Sequence, residues 1–84
     1  MRIIYSSKFA RQYKKLPPDI QALTEIKVAI FRLDQSDPRL KTHALSGSLD
    51  GLQAFSITYS VRILFKRYDN IVVFLQIGDH DIYD

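Results

Sequence analysis

The chain has 84 residues, 46% of them apolar and 25% charged, which excludes an intrinsically disordered protein and sets the expectation of one domain, residues 1–84, around a single core. It has no cysteine, which excludes a disulfide framework and thiolate metal sites, and no apolar run nears the roughly 20 residues that span a bilayer. With no signal-type apolar stretch at the amino terminus, the expected compartment is the cytoplasm. Net charge is +3, and it is polarised. Residues 1–18 carry Arg2, Lys8, Arg11, Lys14 and Lys15 and no acid, whereas the last six hold Asp79, Asp81 and Asp84 and no base. A basic segment of this kind suits an anionic partner, or simply a solvated helix face.

Met1 to Tyr5 reads as a short strand, and Ser6-Ser7 offers a hydroxyl to cap the helix that follows. In that helix Phe9, Tyr13 and Leu16 form one apolar stripe and leave the basic residues on the wet sides. Pro17-Pro18 ends it. A second helix is expected from about Pro18 to Asp34, where Ile20, Leu23, Ile26, Ile30 and Leu33 recur at spacings of three and four. So short a connection makes the two helices a hairpin, with both stripes facing one surface.

After Ser36-Asp37-Pro38 the pattern becomes extended, over Lys41 to Leu45, Leu52 to Thr58, Val61 to Arg67 and Ile71 to Ile77. Ser46-Gly47-Ser48 with Asp50-Gly51, Tyr59-Ser60 and Asp69-Asn70 mark the turns between sequential hairpins. Ile71 to Leu75 is apolar on both faces and should be the most buried strand, while Arg62, Leu64 and Lys66 share one face of its neighbour. The expected architecture is α+β: an N-terminal strand, a two-helix hairpin, then a three- to four-stranded antiparallel sheet with helices on one face and the other partly open.

The only histidines are His43 and His80, and the second lies in Gly78-Asp79-His80-Asp81, where flanking acids favour the imidazolium. Two histidines can supply the acid and the base for metal-free phosphodiester cleavage through a ribose 2′-hydroxyl, and Arg62, fixed on a strand, can clamp the phosphate. The bland alternatives are surface histidines and an arginine paired with Asp79 or Asp81. A metal site at Asp79, His80 and Asp81 is disfavoured, because neighbouring strand residues point to opposite faces and no H-E-x-x-H spacing exists. No phosphate-loop, dinucleotide-binding or serine-hydrolase pattern occurs.

The strings FARQYKKLP (Phe9 to Pro17), RLKTHALSG (Arg39 to Gly47), FSITYSVRILFK (Phe55 to Lys66) and FLQIGDHD (Phe74 to Asp81) resemble, in collinear order, the RelE/ParE superfamily of bacterial toxin-antitoxin toxins, nearest its YafQ-like branch. The resemblance implies the RelE/ParE-like microbial ribonuclease architecture and a toxin that cleaves messenger RNA at the ribosome. It also implies no metal or cofactor, and silencing by a cognate antitoxin protein. Carried over by position, it implies catalytic roles for His43, Arg62 and His80, without saying which histidine is acid and which base. Lys8, Arg11, Lys14, Lys15, Lys41 and Lys66 would then attract RNA phosphates, and Tyr83 would stack on a base, pack or fray. Two positions depart from the branch: Ser56 and Ser60 stand where relatives carry a histidine and an aspartate, and serine is no acid or base near neutral pH. Two alternatives therefore stand beside the nuclease: a ParE-like DNA gyrase poison, and a degenerate toxin that only binds its antitoxin.

Overall fold

A computed structural model describes residues 1–79 and Ile82; His80, Asp81 and Tyr83 lie outside the described residues. Strand β1 (Arg2–Tyr5) leads into helix α1 (Ser7–Lys14), and helix α2 (Pro18–Leu33) follows. Four strands complete the chain: β2 (His43–Ala44), β3 (Gln53–Ser56), β4 (Arg62–Tyr68) and β5 (Ile71–Gly78). They form one five-stranded sheet in the order β1-β5-β4-β3-β2. The last four strands are antiparallel neighbours, and β1 joins as an edge strand parallel to β5.

Helix α1 begins where serine chemistry dictates. The Ser6 hydroxyl accepts from the Phe9 N–H at 2.9 Å, satisfying a free amide of the first turn, and donates to the Leu75 carbonyl at 2.7 Å. Farther along, Gln12 Oε1 accepts from the Ile77 N–H at 2.9 Å. Past the end of β1, then, α1 takes over the open edge of β5. Ser6→Ala is expected to cost about 1–2 kcal/mol, one cap and one hydrogen bond, read as a lower urea midpoint at unchanged m-value.

The hairpin is locked by polar contacts that the sequence pattern did not single out. Gln21 Nε2 donates to the Tyr13 and Leu16 carbonyls, at 3.0 and 3.2 Å, tying the first turn of α2 to the chain at the end of α1. Tyr13 Oη donates to Glu25 at 2.9 Å, and desolvation, helped by that carboxylate, pushes the phenol pKa up.

The face α2 turns to the core differs from the expected stripe. Thr24, Val28 and Phe31 are its buried residues, with Ile20, Leu23 and Ile30 packed beside them. Ile26 and Leu33 are 57% and 89% exposed. The apolar residues of α2 cover too wide an arc for one contact surface, and Phe31, having the largest ring on the helix, sets which part of the arc faces inward. Phe31 stacks on Phe55 at 4.8 Å between centroids and meets Phe65 and Phe74 edge-on at 5.2 and 5.5 Å.

Every residue of β5 is buried or half-buried, with Val72, Phe74 and Ile77 in the core. The three-residue step from Phe74 to Ile77 reflects a bulge, since Phe65 pairs with Phe74 but Leu64 with Gln76. The strand expected over Lys41 to Leu45 shrinks to His43–Ala44. Pro38 to Leu40 instead form a turn of 3-10 helix, capped by Asp37 accepting from the Arg39 N–H, and Lys41 ends it at φ 52°. The strand expected to reach Thr58 stops at Ser56, because the Thr58 hydroxyl accepts from the Ser60 and Val61 amides and folds the chain into the turn.

Candidate active site

Register places the site. Arg62 pairs with Ser56 on one side and with Gly78 on the other, while His43 pairs with Ala54. Residues paired across a ladder, and those two apart on a strand, share a face, so His43, Ala54, Ser56, Arg62, Leu64 and Lys66 all lie on the side away from the helices. Two strand spacings across and two residues along put the Cα atoms of His43 and Arg62 roughly 12 Å apart.

His43 is exposed on the edge strand, with Nδ1 3.1 Å from the Lys41 carbonyl. A carbonyl can only accept, so this contact requires the proton on Nδ1 and leaves Nε2 of the neutral ring as an acceptor. Lys41 supplies that carbonyl from the left-handed region, uncommon for a residue with a side chain.

Arg62 is half-buried, and its Nη1 is buried with no hydrogen-bond partner among the described residues. Buried guanidinium nitrogens are ordinarily bonded, so an unpaired one is a donor held ready for an acceptor. It borders a depression also lined by Lys27, Arg39, Lys41, Ser56, Ile57, Thr58 and Tyr59. No acid is among these described lining residues, which include four cations and three hydroxyls. One cation is already neutralised: Arg39 Nη2 lies 2.8 Å from Asp37. Side-chain and then backbone hydrogen bonds from Arg39 hold the Asp37 pKa down at about 2. A pKa lower in the folded chain contributes stability above the ordinary carboxylate range of about 4, lost as pH falls through about 2. Carboxyl NMR should show Asp37 titrating near 2, with Arg39→Gln raising that midpoint toward the ordinary value.

Of the residues expected to serve a site, the structure brings Arg62 and Lys41 to one depression and His43 to the same sheet face. His43 itself borders a neighbouring hollow with Lys41 and Arg67. Lys66 shares the face and lies over the Tyr68 ring at 5.1 Å. The bases of α1 do not join them. Lys14 borders an apolar groove between the helices, and Lys15 lines a hollow with Gly78 and Asp79; Lys8 and Arg11 are exposed on the same helix. His80 and Tyr83 lie outside the described residues. Lys27 and Arg39 were missed, as were the hydroxyls of Thr58 and Tyr59, because only the fold brings residues 27, 39 and 56–62 together.

No family model matches the sequence, and no curated protein matches it. Solved structures do. YafQ from E. coli superposes with a TM-score of 0.75 at 19% identity, covering 99% of this chain and 98% of that one. A YoeB/ParE toxin from Agrobacterium tumefaciens superposes at 0.79 with 13% identity, covering 95% and 99%. The chain has the RelE/ParE toxin fold. YafQ in the E. coli DinJ-YafQ toxin-antitoxin complex superposes at 0.72 with 20% identity, over 95% of this chain and 92% of that one. No helix among the described residues is long and apolar enough to cross a membrane.

Proposed function

We propose that this chain is the toxin of a toxin-antitoxin pair and an endoribonuclease that cleaves messenger RNA at the ribosome, without metal, through the ribose 2′-hydroxyl. The observation that carries the reading is the buried Nη1 of Arg62, without a hydrogen-bond partner among the described residues, on a side chain that borders a depression whose described lining is basic and free of acids. A phosphodiester oxygen is the acceptor such a nitrogen lacks, and the extra charge of the pentacoordinate phosphorus would be met by Arg62 with Lys27 and Lys41 alongside. His43, with Nε2 unprotonated, takes the 2′-hydroxyl proton; the oxygen attacks phosphorus and the 5′-oxygen leaves. His80 is assigned the complementary role of protonating that leaving oxygen. The products are a 2′,3′-cyclic phosphate and a 5′-hydroxyl. So few catalytic groups leave orientation of the attacking hydroxyl to the ribosome, and the cytoplasm is where substrate and ribosome meet.

The partner that would silence it is an antitoxin protein. The DinJ-YafQ complex, in which a toxin of this fold is bound by its antitoxin, supports that reading. One observation favours a second reading: Ser56, standing where the resemblance implies a histidine, sits directly across from Arg62. A toxin with that thinner set could bind its antitoxin without cleaving.

Primer extension on a defined message in a purified translation system separates the readings. Discrete cuts ending in cyclic phosphate, lost in His43→Ala and in His80→Ala, are the expected result. Cuts that survive both substitutions would overturn the histidine assignment. Intact message from folded protein would leave the binding-only toxin, and broken DNA with intact message would indicate a gyrase poison.

A further inference from the structure

Helix α2 has a second apolar face that the core does not use. Ala22, Ile26, Ala29 and Leu33 recur at spacings of four, three and four on the side opposite Thr24, Val28 and Phe31, and all four are exposed. That spacing is the seam of a two-helix contact. Helix α1 does not cover the seam, because Ser6 and Gln12 bind α1 to the edge of β5.

We propose that this stripe is a self-association surface on which α2 of a second copy packs antiparallel. A two-fold axis that sets Ile26 against Ala29 of the second copy also sets Ala22 against Leu33 of the second copy. Each layer then joins a large side chain to a small one, and the alanines let the helices approach to about 8 Å. In the same register Glu25, whose Oε1 accepts from Tyr13 Oη within its own chain, faces Arg32 of the second copy, whose Nη2 donates to Tyr5 Oη of that copy, and symmetry makes this opposite-charge pair twice. A parallel arrangement would set alanine on alanine in two layers and deny Glu25 and Arg32 each other. This charge and size complementarity of the stripe with itself selects a second copy over an unrelated helix. The seam is about 16 Å long, which makes the interface smaller than the roughly 1,000 Å² of stable specific dimers. The dimer is therefore concentration-dependent rather than obligate, and it is independent of the catalytic reading.

Sedimentation velocity across the micromolar range, with far-UV circular dichroism to verify folding, tests it. The expected result is a monomer–dimer equilibrium weakened about tenfold or more by Ile26→Lys and by Glu25→Arg alone, and restored when Glu25→Arg is combined with Arg32→Glu. A chain that stays monomeric throughout, a dimer indifferent to Ile26→Lys, or a charge swap that fails to restore association would overturn the proposal. So would a stripe that binds a foreign amphipathic helix while the chain itself never pairs.

Discussion

Arg62→Met is expected to cut message cleavage about 10²–10³-fold while leaving the fold as stable as before or slightly more stable. The two effects separate because Arg62 Nη1 is buried without a hydrogen-bond partner among the described residues. A donor in that condition keeps its desolvation cost, of order 1–3 kcal/mol, until an acceptor arrives. Methionine replaces the aliphatic stem of the arginine, carries no polar hydrogen and adapts its shape to the strand face, so it relieves that cost. Arg62→Lys retains a charge but loses the planar two-nitrogen fork, and is expected to fall between the wild type and Arg62→Met in activity. Urea melts beside primer-extension rates test both halves. A large loss of stability in Arg62→Met would show that the guanidinium holds the sheet together and is not waiting for a phosphate.

The placement of Arg62 was legible because strand alternation is local. Arg62, Leu64 and Lys66 had to share a face once Val61 to Arg67 was extended, and the register of β4, with Arg62 across from Ser56 and Leu64 across from Ala54, shows that the strand is extended through them. Ser6 as a cap, Pro17-Pro18 as a break and Asp69-Asn70 as a hairpin turn are equally local, and the structure places each as expected. What could not be read depends on distant segments. β1 pairs parallel with β5, some seventy residues along, and nothing in Met1 to Tyr5 specifies that partner. Lys27, Arg39 and Tyr59 meet Arg62 only because α2, the turn after it and the β3–β4 connection converge. The five apolar positions noted on α2 gave a correct helix and an incomplete account of its inward face, because periodicity reports an arc and packing decides which part of it is used.

Phe31→Ala is expected to destabilise the chain by about 3–5 kcal/mol, the largest loss of any single truncation on α2. A domain of 84 residues has roughly 4–13 kcal/mol in total, so this one truncation removes about a quarter of it or more. Phe31 is fully buried, and its ring touches those of Phe55, Phe65 and Phe74, which come from three different strands. Removing it therefore opens a cavity under the centre of the sheet, where backbone hydrogen bonding limits relaxation. Two residues on, Leu33→Ala removes a comparable apolar group that is 89% exposed, and should change the stability of the monomer by less than about 0.5 kcal/mol. The contrast isolates burial from hydrophobicity, since both side chains are apolar and on one helix. Thermal and urea melts at low protein concentration measure it. A loss of less than about 1 kcal/mol for Phe31→Ala would mean that the aromatic cluster collapses to fill the gap.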